Sequence, residues 1–297
     1  MVAPQSPCAW PIEAPSLLAR FQALPLSALQ YVCEKCKTPT RLRRSRTAEG
    51  DLHRVCARCG ERLFSPYAID DPEGEPRCGL CRRIEPAFSR AVAYGSYESG
   101  LRELIHLLKY GGVRPAASVP GRMLGEAITT LEPLFPAEGV VVVPVPLHRT
   151  KFRQRGFNQA ELIARAALKL SPSRERLHLC TGAFERKRET PSQIGLTSHQ
   201  RRENLRGAFA VTQTEAVKGR EVLVVDDVYT TGATVSECAK VLRRAGATKV
   251  WVATVARTLK VSAQHVEIKT GNDNDNDIEM DEHSEAEQVA LAKAVGI

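Results

Sequence analysis

The chain has 297 residues, of which 43% are hydrophobic and 5% aromatic, so it can form one sizeable α/β domain and a small additional module. Its apolar stretches are shorter than the ~18 residues of a membrane span, and no basic segment followed by an apolar block opens it. We therefore expect no membrane span, no secretory signal and a cytoplasmic location. The net charge of +8 combines −7 over residues 271–297 with +15 over residues 1–270, and the basic part suits polyanionic ligands.

Composition divides the chain into four parts. Residues 1–30 contain five prolines and no clear period, so we expect them to be irregular. Residues 31–86 hold six of the nine cysteines, residues 87–260 alternate between strand-like and helix-like patterns, and residues 261–297 form an acidic tail that we expect to be largely disordered. The alternation predicts an α/β fold, a parallel sheet flanked by helices.

Three Cys-x-x-Cys pairs follow one another in the second part: Cys33 with Cys36, Cys56 with Cys59, and Cys78 with Cys81. The gaps of 19 and 18 residues between them match a zinc ribbon, in which two pairs complete a tetrahedral Zn²⁺ site. A disulfide framework is the alternative, but it fits poorly with a cytoplasmic chain. Because Cys59-Gly60 is typical of a zinc knuckle, we predict structural zinc on the second and third pairs and keep Cys33 and Cys36 as the alternative pair. The basic stretch 41–46 indicates a solvated loop, with nucleic-acid contact as the alternative.

The α/β part begins with a predicted strand over 87–97, a helix through Leu101–Leu108 that stops at two glycines, and a helix over 117–131. Lys109, in the last turn of the first helix, either approaches a site or complements the helix dipole. The valine run at 140–143 predicts a buried strand that ends in Pro144, Val145 and Pro146. The segment 148–159 after it is rich in cations and amides, and it follows the carboxyl end of a parallel strand, where α/β sheets bind phosphates.

After a short strand at 177–180, the basic segment 184–206 has the composition of a mobile lid with few buried apolar groups. The run 222–225 then predicts a buried strand that ends in Asp226 and Asp227, and a loop of hydroxyl residues and glycine leads into an amphipathic helix. Two carboxylates there can accept hydrogen bonds from sugar hydroxyls, directly or with a divalent cation, and the helix N-terminus can bind a phosphate. Simple capping by threonine is the alternative, but it explains neither the paired acids nor three threonines around a glycine. A last strand is predicted over 248–255.

The order of these motifs resembles the ComF family, in which a zinc-ribbon module precedes a type I phosphoribosyltransferase-like domain that binds phosphoribosyl pyrophosphate (PRPP). The resemblance runs from about Cys56 to Val255. The extra Cys33/Cys36 pair and the acidic tail depart from the family pattern. The matching segments are Cys78–Cys81, Leu104–Gly111, Pro144–Leu147, Arg155–Gln159 (Arg-Gly-Phe-Asn-Gln), Gln193 with Arg201–Phe209, and Asp226–Thr234 (Asp-Asp-Val-Tyr-Thr-Thr-Gly-Ala-Thr).

The resemblance implies a role for each of these segments. The ribose hydroxyls would bind Asp226 and Asp227, partly through Mg²⁺, and the pyrophosphate would lie near Pro144, Val145 and Pro146. The departing charge would be stabilised by Arg153, Arg155, Arg186 or Arg188. The 5′-phosphate would be held by Thr230, Thr231, Gly232, Ala233 and Thr234.

Two hypotheses about function follow from this resemblance. The first is an enzyme that transfers ribose 5-phosphate from PRPP to an unknown acceptor. The second is a non-catalytic adaptor that binds nucleotides, single-stranded DNA or DNA-uptake proteins, because the family is associated with natural competence. A homodimer is compatible with either. A purely structural zinc adaptor would leave the loop from Asp226 to Thr234 unexplained.

Overall fold

The computed structural model of the protein describes residues 30–32, 39–41, 55–63, 74–190 and 197–259. Several predictions fall outside these residues: the irregular segment up to residue 29, the Cys33/Cys36 pair, the basic stretch beyond Arg41 and the acidic tail 261–297. In the described residues, no helix is both long and apolar enough to cross a membrane.

The described elements alternate between strands and helices, as the sequence predicts. In chain order the strands are β1 (Gln30–Val32), β2 (Pro39–Arg41), β3 (Arg90–Ser96), β4 (Val140–Pro144), β5 (Leu177–Leu179), β6 (Phe184–Arg186), β7 (Phe209–Val211), β8 (Glu221–Tyr229) and β9 (Lys249–Arg257). The helices are α1 (Gly79–Arg83), α2 (Ser99–Tyr110), α3 (Ser118–Thr129), α4 (Arg149–Arg155), α5 (Gln159–Leu170), α6 (Ser198–Leu205) and α7 (Ala233–Arg244). Short 3₁₀ turns occur at Arg114–Ala117, Glu132–Leu134, Arg174–Arg176 and Thr214–Ala216.

A five-stranded parallel sheet forms the centre of the α/β part, with strand order β3-β9-β8-β4-β5. Its middle is valine-rich: Val143 of β4 pairs with Val224 of β8, which pairs with Val252 of β9. All three are almost completely buried, because strands covered by helices on both faces have no solvent side. The predicted parallel sheet is therefore confirmed. β4 ends at Pro144, which pairs with Val225.

The side chains of the sheet alternate between two separate cores. On one face, α2, α3 and α5 pack with Leu223 and Val225 of β8. On the other face, α7 and the β6–β7 pair pack with Val222 and Val224. Because successive strand residues point to opposite faces, the next two residues of β8 also point to opposite sides, Asp226 toward α7 and Asp227 toward α2.

The predicted lid over 184–206 is a packed substructure in its described part, which we call the hood (residues 184–190 and 197–211). Its two strands, β6 and β7, pair antiparallel, and the rings of Phe184 and Phe209 stack with centroids 5.5 Å apart. Leu205 of α6 is fully buried, and the Gly207 N–H donates to a carboxylate oxygen of Glu237 in α7 at 2.9 Å. Within the described part of the predicted lid, Phe184 and Leu205 are the only buried apolar residues, so the expectation of few buried apolar groups is confirmed there. These side chains are far apart in sequence, and only strand pairing and packing on α7 bring them together.

The cysteine-bearing segments 55–63 and 74–86 lie against the sheet. An antiparallel bridge joins Val55 to Arg62. Helix α1 begins directly after Cys78, the first cysteine of the third Cys-x-x-Cys pair. The N–H of Ala91 in β3 donates to the carbonyl of Arg58 at 2.7 Å, so the first of these segments is attached to the edge strand of the sheet.

Candidate functional site

Two adjacent carboxylates, Asp226 and Asp227, lie near the carboxyl end of β8, between β4 and β9. Asp227 is 4% exposed, and its Oδ1 lies 2.9 Å from Nζ of Lys109 in the last turn of α2. The backbone N–H of Asp227 donates to Oδ1 of Asp226 at 2.9 Å. The acids therefore lie in a largely dry environment with a cation on the α2 side.

Burial dominates the electrostatics of this pair. Burial first, and then the charge of Asp227, raises the pKa of Asp226 to about 7, against the opposing effects of Lys109 and Arg186. Burial would lower the pKa of Lys109, but the charge of Asp227 and its hydrogen bond outweigh burial, so the pKa is raised and the ammonium stays protonated. The carboxyl of Asp226 can therefore change its charge near neutral pH.

One oxygen of the pair has an unused hydrogen-bonding capacity. Oδ2 of Asp227 is buried and has no hydrogen-bond partner in the described part of the chain. A buried carboxylate oxygen without a partner is costly unless a ligand or cation satisfies it. Paired carboxylates are also the hard oxygen donors that Mg²⁺ prefers, so the residues present fit either a sugar hydroxyl or a magnesium ion with its waters.

The loop after β8 presents the N-terminus of α7 without a side-chain cap. Gly232 is the N-cap residue, with φ +76°, and in the described part of the chain no side chain caps this helix. Oγ1 of Thr231 is buried and, among the described residues, has no partner either. Unbonded amides at a helix N-terminus, with a hydroxyl beside them, form a site for a phosphate group.

Gly232 is required in this loop for two independent reasons. Its positive φ lies in the left-handed region, which costs other residues roughly 1–2 kcal/mol. A Cβ at this position would also overlap the hydroxyl and ring of Tyr229, the last residue of β8. The candidate phosphate loop, residues 230–234, therefore has no room for a side chain at position 232 beside Tyr229.

The loop after β4 lies beside the acids. The N–H of Val145 donates to the carbonyl of Val225 at 2.8 Å, which continues the β4–β8 pairing past Pro144 to the residue before the acidic pair. The side-chain amide of Asn158 donates to the carbonyl of Val145 at 2.9 Å. Pro144, Val145 and Pro146 therefore run along the same edge of the sheet as the acids, as the sequence predicts for parallel strands.

The Arg-Gly-Phe-Asn-Gln motif holds the turn between α4 and α5. Gly156 ends α4 with φ +77°, Phe157 is buried, and the side chain of Asn158 caps α5 by accepting from the N–H of Ala160. Arg155 hydrogen-bonds to the side-chain oxygen of Gln159, and its guanidinium lies over the ring of Tyr110. In this structure the contacts of Arg155 are thus with α5 and with the end of α2.

The two predicted catalytic arginines of the hood, Arg186 and Arg188, differ in their surroundings. The guanidinium of Arg186 lies over the Phe209 ring and bonds to the hydroxyl of Thr190. Burial lowers its pKa, and the negative charge of Asp226 acts in the opposite direction. The guanidinium of Arg188 instead donates to the carbonyls of Asn204 and Arg206 at 2.8 and 2.9 Å, where it ties β6 to the end of α6. Of these two arginines, Arg186 is therefore the one that is electrostatically linked to Asp226.

The hood also reaches the loop after β4. The hydroxyl of Thr150 donates to a carboxylate oxygen of Glu189 at 3.1 Å, and Nδ1 of His148 lies 3.8 Å from the same oxygen. This contact holds the end of β6 next to the start of α4.

Four cysteines form a compact buried cluster. The sulfurs of Cys56, Cys59, Cys78 and Cys81 all lie within 4.8 Å of one another, and those of Cys59 and Cys78 are 3.7 Å apart. Tetrahedral zinc with bonds of about 2.3 Å requires sulfurs about 3.8 Å apart. Four thiols of this spacing fit a dication, which would allow several of them to be deprotonated together. Gly60, with φ +73°, provides the turn that the knuckle interpretation requires. These four cysteines lie together in the described residues, and the choice between them and the Cys33/Cys36 pair stays a prediction.

The sequence analysis missed, or left undecided, the roles of several residues that contact the acidic pair, the loop after β8 or the cysteine cluster. Lys109 had two interpretations as a helix-end lysine, and only the fold shows that its ammonium reaches Asp227. Tyr229, whose side chain lies against Gly232, is inside the matching motif. From the sequence alone it could equally be an ordinary aromatic residue of the core. Arg257 at the end of β9, which contacts the cysteine cluster, lies beyond the predicted strand and carries no local signal.

Two family models and several solved structures are similar to parts of this chain. A sequence model of the phosphoribosyl transferase domain matches residues 156–290, which extends past the domain end predicted at residue 260. The C-terminal domain of large ribosomal subunit protein uL24 matches residues 20–63, of which the structure describes 30–32, 39–41 and 55–63. Among solved structures, a hypoxanthine phosphoribosyltransferase from Staphylococcus aureus is similar with a TM-score of 0.29 and 13% identity, over 51% of this chain and 72% of that chain.

Curated relatives match over most of their length. DNA utilization protein YhgH of Escherichia coli is 32% identical over 236 residues, which cover 77% of this chain and 91% of the relative. Competence protein F of Haemophilus influenzae is 33% identical over 68% of this chain and 84% of its own length. Competence protein ComFC of Bacillus subtilis is 25% identical over 51% and 57%. The chain therefore belongs to the ComF family of competence-associated proteins, which carry a phosphoribosyltransferase-type domain.

Proposed function

We propose that this protein binds PRPP at the carboxyl edge of the sheet and transfers its ribose 5-phosphate to an acceptor. The observation that carries the proposal is the uncapped N-terminus of α7 beside a buried acidic pair. A phosphate and a sugar with free hydroxyls are the two ligand groups that these features suit, and PRPP contains both.

Each part of the loop has a role in this proposal. The 5′-phosphate accepts hydrogen bonds from the α7 amides and from the hydroxyl of Thr231, with Thr230 and Thr234 at the sides. Asp226 and Asp227 accept hydrogen bonds from the ribose hydroxyls. Magnesium, when bound, would be held by these carboxylates and would neutralise pyrophosphate charge. The loop from Pro144 to Pro146 borders the pyrophosphate.

The reaction breaks the bond between the anomeric carbon and the pyrophosphate oxygen and forms a bond from that carbon to the acceptor. As charge builds up on the leaving group, nearby cations lower the barrier most effectively in a dry site. Arg186, half-buried and subject to the charge of Asp226, is the hood residue we assign to this task. Arg155 bonds instead to Gln159, and Arg188 bonds to backbone carbonyls at the end of α6. The packed hood would also keep out water, which otherwise hydrolyses PRPP.

A second candidate function is a non-catalytic adaptor that binds single-stranded DNA or proteins of DNA uptake. The relatives' names refer to DNA utilization and competence. The surface offers one supporting feature, because Tyr110 is 71% exposed with Arg155 over its ring, and Phe152 is exposed on neighbouring α4. Exposed aromatic rings next to cations are the groups on which unpaired bases stack.

For the cysteine cluster we propose zinc, in a reducing compartment such as the cytoplasm that keeps the thiols available. The four cysteines would hold it with no open position, so its contribution is to folding of the module rather than to the reaction.

Calorimetry with PRPP and Mg²⁺ tests the main proposal. We expect saturable binding by the unchanged protein and its loss in Asp226→Asn/Asp227→Asn, a change that preserves side-chain shape. Lys249→Met, at the opposite end of the neighbouring strand, is the matched control and should bind normally. Pyrophosphate release with a panel of acceptors then separates an enzyme from a binder. If the unchanged protein does not bind PRPP, the proposal is wrong.

A further inference from the structure

A buried arginine connects the cysteine cluster with the phosphate loop. Arg257 is the last residue of β9 and is 7% exposed. It pairs in register with Tyr229, the last residue of β8, so both side chains lie at the point where the sheet meets the loop. A buried guanidinium is costly unless nearly all of its hydrogen bonds are satisfied, so its partners indicate what it holds in place.

On one side, Arg257 holds the turn that carries a cysteine of the cluster. One guanidinium nitrogen lies 2.6 Å from Oε2 of Glu61, which is itself buried. Another donates to the carbonyl of Cys59, and the first also lies 3.9 Å from the sulfur of that cysteine. The turn Cys59-Gly60-Glu61 is therefore clamped by a single side chain from the sheet.

On the other side, the same guanidinium lies on the ring of Tyr229, with its central carbon 4.6 Å from the ring centroid. Phe88 contacts this ring edge-on, with centroids 6.4 Å apart. The ring is thus held between a cation and an aromatic side chain, and its hydroxyl lies directly against Gly232. The order of contacts runs from the cysteine turn through Arg257 and Tyr229 to the N-cap of the phosphate loop.

We propose that Arg257 is a positioning residue, which transmits the folded state of the metal cluster through Tyr229 to the loop Thr230–Thr234. Metal binding at the four cysteines and anion binding at the loop are then coupled: each favours the other. For PRPP as the anion this inference depends on the proposed function, whereas the effect of metal on the loop does not.

The physical basis is the loss of partners when the metal is absent. Without metal the turn around Gly60 has fewer constraints, and Arg257 then loses the fixed carbonyl of Cys59. A guanidinium without its partner moves toward solvent, and the Tyr229 ring is no longer fixed. Because the hydroxyl end of this ring lies against Gly232, its release lets the loop sample conformations in which its amides no longer converge. By linkage, the metal and the anion strengthen each other's binding by the same factor.

Hydrogen exchange of the full-length protein with and without zinc tests the relay. In the unchanged protein we expect zinc removal to speed exchange of amides 231–236 about tenfold, a typical size for coupling between two sites, while β4 amides exchange as before. PRPP affinity should fall by a similar factor. In Tyr229→Phe, which keeps the ring but removes the hydroxyl, the atom that a Cβ at Gly232 would meet first, zinc content should be unchanged and the effect of zinc on the loop should be clearly smaller.

Arg257→Met gives a second variant, combined with Glu61→Gln so that no buried carboxylate is left unpaired. We expect it to bind zinc and to behave like Tyr229→Phe. Lys249→Met, at the other end of β9, should retain the full effect of zinc on the loop. The relay is wrong if zinc removal leaves amides 231–236 unchanged, if it speeds β4 equally, or if Tyr229→Phe still responds like the unchanged protein. Absence of PRPP binding would overturn the proposed function alone, because the exchange measurement needs no PRPP.

Discussion

Nζ of Lys109 and Oδ1 of Asp227 are 2.9 Å apart, and this ion pair joins the end of α2 to the end of β8. The carboxylate is almost fully buried and the ammonium is about four-fifths buried, so the pair is shielded from solvent. It sets the charge of the candidate sugar site before any ligand binds. Oδ1 of Asp227 is already paired with Lys109, whereas Oδ2 has no hydrogen-bond partner among the described residues. A ribose hydroxyl or a cation would therefore bind at Oδ2.

Lys109→Met should destabilise the protein by about 2–3 kcal/mol, because it leaves the buried charge of Asp227 without a partner. Lys109→Met/Asp227→Asn should recover a good part of this loss, since the unpaired charge is removed as well. Arg165→Met, which breaks an exposed pair with Glu161 within α5, should cost less than about 1 kcal/mol. Urea unfolding of the four proteins measures this. Equal losses for Lys109→Met and Arg165→Met would contradict the assignment of a shielded pair.

PRPP binding should weaken as the pH falls below about 7. The pKa of Asp226 is raised from 3.8 to about 7, so its carboxyl is largely neutral at pH 6 and largely ionised at pH 8. If the ionised form accepts the ribose hydroxyl or cation, Kd should be about tenfold higher at pH 6 than at pH 8. Asp226→Asn has no such group and should show only the pH dependence of the ligand's own phosphates. A pH dependence that is identical in both proteins would show that Asp226 does not titrate on binding.

The same shift predicts the sign of a stability change. The folded protein keeps the proton on Asp226 up to about pH 7, whereas the unfolded chain loses it near pH 4. Between these values the folded state binds more protons, so this group's contribution to stability falls as the pH rises and is constant above about pH 7. Urea unfolding between pH 5 and 8 should therefore show a smaller decline in Asp226→Asn than in the unchanged protein.

The strands could be predicted from the sequence because their signal is local. One valine run ends in Pro144 and the other in two aspartates, and the structure has the parallel strands β4 and β8 at these positions. The hood could not be predicted in the same way. Phe184, Leu205 and Phe209 follow no period, and their burial depends on antiparallel pairing and on packing against α7.

The partners of the charged residues were even less predictable. A lysine at a helix end suits the helix dipole whether or not it reaches a site, so the position of Lys109 alone could not decide between the two. Arg155 and Arg188, which were predicted to stabilise the departing charge, bond instead to the side chain of Gln159 and to backbone carbonyls. A sequence pattern cannot distinguish an arginine with such partners from one whose guanidinium is available to bind an anion. Such partners come from different elements, and only the assembled fold brings them together.

The purified protein should contain about one zinc ion per chain, bound by the second and third cysteine pairs. Cys78→Ser should remove most of the metal and destabilise the module, because three thiolates bind zinc much more weakly than four. Cys180→Ser, a half-buried cysteine outside the cluster, should keep its zinc. Atomic absorption of each variant measures the content. A larger loss in Cys33→Ser than in Cys78→Ser would show that the alternative pair holds the ion.

Gly232→Ala should abolish PRPP binding and destabilise the protein more than an alanine at a comparable glycine does. Gly219 is the matched control, because its φ of +70° is close to the +76° of Gly232 but a Cβ there would meet no other atom within 4 Å. Both alanines incur the strain of a positive φ, roughly 1–2 kcal/mol, and only the one at position 232 also displaces the Tyr229 side chain. The difference in unfolding free energy between the two variants therefore measures the contact with Tyr229, and the difference in PRPP affinity measures its importance for the loop. If both variants lose the same stability and Gly232→Ala still binds PRPP, then the close contact does not shape the phosphate site.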